Sequence, residues 1–275
     1  MLKICLLKKT QRQWTDRLAL FLSVLLTLFC LPVVAAATEP KIVLIIDDIG
    51  HRDSDHRALE LPKEVTFSIL PDAPLTKELS ELAHAQGRDI MLHMPMESFD
   101  GQAMGPDGLK VGMYEAQMEA LFERALNSVP YAIGVNNHMG SRLTSLAAPM
   151  HILMAMIKTH NLFFIDSRTS PQTVAEEAAL SAGIPAARRH VFLDHERTQA
   201  AMEREYKRLL VMARQQGVAV AIAHPHPATL RFLQSKLPNL QAQGIRLATV
   251  SDLFSPRPSM MAERKKRDLP LAAPK

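Results

Sequence analysis

The sequence predicts an α/β protein whose parallel strands form a (β/α) barrel of seven or eight units. Three observations lead there. Short apolar runs rich in β-branched residues alternate seven or eight times with helical segments, and no hairpin signal separates them. The runs are continuous rather than alternating, as strands buried on both faces are. Six of them end in a histidine or an acid, and only a closed barrel gathers such ends around one mouth; an open sheet would string them along an edge.

The elements follow in order. Ile42 to Ile46 is the first strand and ends in Asp47-Asp48-Ile49-Gly50; after a polar stretch, Ala58 to Leu61 forms a short helix that Pro62 stops. Val65 to Leu70 is the second strand, and Leu75, Leu79, Leu82 and Ala83 recur at helical spacing until Gly87. Asp89 to Met94 is a third strand with His93 at its exit. A long loop from Pro95 to about Gly112 suits a lid or binding segment. A helix from Tyr114 to Asn127 precedes the strand Tyr131 to Val135, which exits into Asn136-Asn137-His138-Met139-Gly140-Ser141. Met150 to His160 is helical, Leu162 to Ile165 is a strand ending in Asp166, and Val174 to Ala182 is helical. Val191 to Leu193 ends in Asp194, a helix from Thr198 stops at Gly217, and Val218 to Ala223 exits into His224-Pro225-His226-Pro227. A helix around Leu230 to Ala242 and a short strand Ile245 to Ala248 complete the pattern.

The ends of the chain set its context. Lys3, Lys8, Lys9, Arg12 and Arg17 precede an apolar run from Leu18 to Val34 and Ala35-Ala36-Ala37, so residues 1–37 read as a secretory signal peptide and the protein as periplasmic. Both cysteines, Cys5 and Cys30, lie in that segment. The exported chain must therefore fold without disulfides and hold any metal with nitrogen and oxygen ligands. The segment's five basic residues and one acid account for the whole formal charge of +4, which leaves residues 38–275 near neutral and gives no support to a nucleic-acid partner. Membrane contact is expected only through the targeting segment. Residues 255–275, with four prolines around Arg264-Lys265-Lys266-Arg267, read as a disordered basic tail, so the barrel domain spans 38–254.

Asp47 and Asp48 cannot both be core, and at the carboxyl end of a barrel strand they sit where chemistry is placed. The plain alternative is a helix cap. The pleat should aim the two side chains differently, which would let one hold a metal while the other handles a proton. Single histidines after strands are usually caps or core, but exits of the same class at equivalent points of successive units make a metal site.

Five motifs in order, Asp47-Asp48, His93-Met94-Pro95-Met96-Glu97, Asn136 to Ser141, Phe164 to Thr169 and Ala223 to Pro227, resemble the divergent polysaccharide deacetylases, the YibQ-type branch related to NodB-type carbohydrate esterases, over roughly Lys41 to Phe254. The resemblance implies a distorted, NodB-like barrel, a divalent metal that is usually zinc, and a carbohydrate substrate such as an envelope glycan. It makes Asp47 the general base, Asp48 a metal ligand and His224 the general acid. The relatives' second motif histidine falls on Glu97, so Asp48, His93 and His138 are the favoured ligands with Glu97 in reserve. Asp166 is placed to orient His224 and raise its pKa, and Asp194 reads as structural.

The expected activity is that of a metal-dependent polysaccharide deacetylase, a carbon–nitrogen hydrolase acting on a linear amide. The departure at Glu97 keeps one alternative in view: a catalytically inactive glycan-binding or scaffolding barrel of the envelope. The only tryptophan, Trp14, lies in the targeting segment, so sugar stacking would fall to Phe99, Tyr114 or Tyr131. That points to a small pocket under the 95–112 loop, with His226 as a lining residue, rather than to a long groove.

Overall fold

The computed structural model describes residues 39–101, 104–105 and 107–254. The expected signal segment 1–37 and basic tail 255–275 lie outside the described residues. Among the described residues there are nine strands: β1 Lys41–Ile49, β2 Thr66–Ile69, β3 Ile90–Met96, β4 Ala132–Met139, β5 Phe163–Asp166, β6 Ala186–Arg188, β7 Val191–Phe192, β8 Val218–Ala223 and β9 Arg246–Ala248. Every pairing is parallel, in the order β6-β5-β4-β3-β2-β1-β8-β7, with β9 on the first half of β1. The helices are α1 Thr76–Ala85, α2 Glu115–Ser128, α3 Ala147–Thr159, α4 Ala175–Ser181, α5 Gln199–Gln216, α6 Pro227–Lys236 and the short α7 Ser251–Phe254.

The expected α/β barrel of seven or eight units is the fold, and the topology shows why it is distorted. Strands β6 and β7 end the path on opposite sides, yet only Arg189 and His190 separate them in sequence. Three Cα steps reach about 11 Å, so the sheet must curl until its ends meet. The chain itself closes the gap: Arg189 N–H donates to the Asp166 carbonyl on one side, and His190 N–H to the Val220 carbonyl on the other. The Arg189 guanidinium reinforces the seam by donating to the carbonyls of Ser167 and Arg168 at 2.6 and 2.7 Å.

Local sequence explains several boundaries. Helix α5 starts at Thr198, whose side chain accepts from the Ala201 N–H, and stops at Gly217 in the left-handed conformation (φ 81°). The last long helix is shorter than its apolar spacing suggested, because Pro238 cannot continue it and the chain passes into 3-10 turns after Lys236. Strand β6 carries no pattern of its own. Ala186-Ala187-Arg188 becomes a strand only because the edge of β5 pairs with it.

Parity along the strands sorts the molecule into two apolar layers. Ile42, Leu44, Ile46, Leu92, Met94, Phe164, Ala219 and Ala221 face outward into the large core under the helices. Val43, Ile45, Met91, Phe163, Ile165, Val220 and Ile222 face inward and fill the barrel. Gly134 belongs to that inner layer, where any side chain would run into the ring of Phe163. Continuing the inward positions by two residues leads to Asp47 on β1, His93 on β3, Asn136 and His138 on β4, and His224 after β8. The apolar filling of the barrel therefore ends in a polar layer at its carboxyl mouth.

Candidate active site and metal centre

Asp47 continues the inward series and is buried, 3% exposed. Asp48 should point outward, as the pleat expectation had it, but it does not. Its backbone lies in the left-handed region (φ 60°), and the register of β1 against β2 slips between Ile46 and Ile49. Aspartate tolerates this conformation better than most residues. The bulge turns the Asp48 carboxylate back over the mouth, so both acids approach the same imidazole. Asp48 Oδ1 lies 3.1 Å from His93 Nε2, and Asp47 Oδ2 lies 3.7 Å from it.

His138, exiting β4, completes the group. Its Nδ1 is 2.9 Å from Asp48 Oδ1 and 3.1 Å from His93 Nε2. Two ring nitrogens and one carboxylate oxygen thus form a triangle. Around a tetrahedral cation with bonds of about 2.0–2.1 Å, neighbouring ligand atoms stand about 3.3 Å apart, so the donors are gathered close to the size a metal needs. Among the described residues, Asp48, His93 and His138 are the group of three or more such side chains able to share one ion.

The second nitrogen of His93 tests the fit further. Asn136 Nδ2 donates to Asp47 Oδ1 at 2.9 Å, and Ser68 Oγ donates to Asn136 Oδ1 at 2.5 Å. That oxygen also lies 2.8 Å from His93 Nδ1, which must therefore be the protonated nitrogen donating to it. A neutral His93 then turns the lone pair of Nε2 toward two carboxylates, a contact that is favourable only with positive charge between them. When protons supply that charge, burial pushes the His93 pKa down but Asp47 and Asp48 outweigh it and the net shift is upward. Burial pushes the Asp48 carboxyl up, and the hydrogen bonds to His138 and His93 carry it far below the ordinary range. The donor set suits a divalent cation of nitrogen and oxygen preference.

Glu97, the reserve ligand, is occupied elsewhere. Its two oxygens accept from the Val111 N–H at 2.7 Å and from Arg142 Nη1 at 2.6 Å, while its backbone N–H donates to the Leu109 carbonyl. Glu97 thereby ties Leu109 and Val111 to the mouth and stands apart from the triangle.

Asp166 is likewise corrected. It continues the outward side of β5, after Phe164, so its carboxylate faces away from the barrel. There it accepts from the Arg168 N–H and the Thr173 hydroxyl at 2.8 and 2.9 Å. The partner of His224 is Asp194, read from the sequence as structural. Asp194 follows the inward Phe192, on a strand directly beside β8. Its Oδ1 is 3.0 Å from His224 Nδ1, and its Oδ2 accepts from the His224 N–H and Thr229 Oγ1, each at 2.9 Å. Burial pushes the His224 pKa down, but the Asp194 hydrogen bond, aided by Asp47 and Asp48, raises it to about 9. His224 Nε2 lies 3.9 Å from Asp48 Oδ2, across the mouth from His93.

These groups open into a cleft of about 650 Å³, lined among others by Asp48, His51, Arg52, Pro95, Met104, His138, His224 and His226. None of the three aromatics considered for stacking lines it. Tyr131 precedes β4 at the opposite end and stacks on His84 with ring centroids 3.8 Å apart, while Phe99 and Tyr114 are 67% and 79% exposed.

The curled parallel sheet, with its polar layer at the carboxyl mouth, has the architecture of a NodB-like deacetylase barrel. The chain belongs to the divergent polysaccharide deacetylase family, whose sequence profile matches residues 44–254. It is similar to the Escherichia coli K12 protein YibQ, with 36% identity over 216 residues, 78% of this chain and 67% of YibQ. Its fold is shared with the crystal structure of ATU2773 from Agrobacterium tumefaciens C58, at TM-score 0.76 and 24% identity over 80% of this chain and 91% of that one. A T48 deacetylase solved with substrate aligns at TM-score 0.51 and 13% identity, covering 81% of this chain and 94% of its own.

Proposed function

We propose that this chain is an exported, metal-dependent hydrolase that removes acetyl groups from an amino sugar of an envelope polysaccharide. The observation that carries the reading is the triangle of Asp48, His93 and His138 set between the buried carboxylate of Asp47 and a histidine, His224, paired with Asp194. His93 Nε2, His138 Nδ1 and Asp48 Oδ1 would hold the ion, zinc or a similar dication. When bound, such an ion polarises the acyl carbonyl and eases deprotonation of water.

Asp47 accepts the proton of the attacking water. Burial raises its pKa, with His93 and His224 opposing the shift, and a raised carboxylate is a better base than an ordinary one. His224, protonated up to about pH 9, donates from Nε2 to the departing amine nitrogen and leaves acetate and a free amine as products. Asp194 fixes the His224 ring through Nδ1, so that Nε2 faces the cleft.

The cleft suits a short acetylated sugar better than a long chain, because its lining offers polar groups and prolines but no aromatic platform. Export rests on residues 1–37. The direct test is acetate release from acetylated glucosamine oligosaccharides by the zinc-loaded protein. Release that stops with chelator and returns with zinc is the expected result. A protein that holds zinc yet frees acetate from no N-acetylated sugar would overturn the reading in favour of an inactive glycan-binding barrel.

A further inference from the structure

Between the triangle and Asp47 lies a side chain with no assigned part. Asn136 is wholly buried on the inward side of β4, paired in register with His93 of β3. Its carboxamide is used at both ends. The oxygen accepts from His93 Nδ1 at 2.8 Å and from Ser68 Oγ at 2.5 Å, and the nitrogen donates to Asp47 Oδ1 at 2.9 Å. Asp47, a carboxylate that can only accept, defines which end of the amide is which, and the hydroxyl of Ser68, itself buried on β2, donates to the opposite end. An amide pinned this way cannot rotate without setting its NH2 group against the N–H of His93 and its oxygen against the carboxylate of Asp47.

We propose that Asn136 is a positioning residue that couples the metal ligand to the base, fixing His93 as the tautomer whose Nε2 faces the cation and aiming Asp47 at the same point. The inference rests on the deacetylase reading for what the base does, but the tautomer and the affinity for metal can be measured without turnover. The two jobs separate chemically. An acceptor is all that His93 requires, whereas Asp47 requires a donor.

Asn136→Asp and Asn136→Leu test this, because both keep the number and branching of the side-chain heavy atoms. Asn136→Asp keeps an acceptor for His93 Nδ1, so zinc affinity should stay within a few-fold of the parent. It replaces the donor that Asp47 needs with a second acceptor, so acetate release at saturating zinc should fall about 10-fold or more. Asn136→Leu removes the acceptor, and zinc affinity should fall about 10–100-fold, the usual loss when a ligand's outer partner is deleted. Equal loss of zinc affinity in both variants, or parental affinity in Asn136→Leu, would overturn the proposal. Nitrogen-15 spectra of the unmutated protein give an answer even where a variant fails to fold: His93 must show a protonated Nδ1, and a protonated Nε2 with bare Nδ1 contradicts the assignment. A parent that takes up no zinc but shows the expected tautomer would count against the deacetylase reading and leave this arrangement standing.

Discussion

Replacing Asp47 by asparagine should leave a chain that still takes up metal but releases acetate about 10²–10⁴-fold more slowly, the usual contribution of a positioned general base. The amide can keep its carbonyl toward Asn136 Nδ2, so the hydrogen bond that orients this position survives. The proton acceptor is what disappears. A second readout separates this role from a structural one. The buried Asp47 carboxyl has its pKa raised, because burial outweighs His93 and His224. An acid with a raised folded-state pKa opposes folding once pH climbs past its unfolded value near 3.8, and the penalty is complete above the raised value. Metal-free Asp47→Asn should therefore melt higher than the parent at neutral pH. A carboxylate kept for stability would give the opposite shift, a lower melting temperature in the variant.

Asp194→Asn carries the second large effect. On the proposed mechanism His224 must be protonated to serve the leaving amine, and its pKa of about 9 should place the alkaline limb of acetate release at that pH in the parent. With the charge removed, the pKa should fall back toward 6.5, and at pH 8 only a few per cent of the imidazole would be protonated, a loss of roughly 30-fold. The stability linkage has the same origin. A raised histidine pKa stabilises the fold below about pH 6.5, and that contribution is lost as pH rises through about 9. The variant should show neither feature. Asp166→Asn is the matched comparison and should leave the alkaline limb in place, since Asp166 is engaged with the Arg168 amide and Thr173 instead. An alkaline limb that moves with Asp166 and not with Asp194 would reverse the assignment.

That exchange between two aspartates shows what was legible in the chain. Alternating apolar runs and helices gave the barrel, and the resemblance of the strand-end motifs to the deacetylases pointed to Asp48, His93 and His138. Side-chain parity was also written there. Phe163 and Ile165 face inward, so Asp166 faces out; Val191 and Leu193 face outward, so Asp194 faces in. Applied to β5 and β7, that count of two would have ranked Asp194 above Asp166. Other features have no local signal. That β7 lies beside β8 is set by how the sheet curls, and the left-handed bulge at Asp48 breaks the very alternation that parity relies on. Asn136 opens the motif that runs to Ser141, yet an amide gains its meaning only from the partners that closure brings to it. Glu97 sits where a ligand would be expected, and only Val111, brought in by the loop, and Arg142, which follows β4, show that its oxygens are already used.

Whether Asp48, His93 and His138 bind one ion decides the chemistry of the mouth, and metal content measures that most directly. The purified protein should carry one divalent cation per chain. His93→Ala and His138→Ala should each lose it, while Glu97→Ala should keep it despite a loosened 97–113 loop. Full occupancy in His138→Ala together with an empty site in Glu97→Ala would contradict the triangle and return the missing ligand to Glu97.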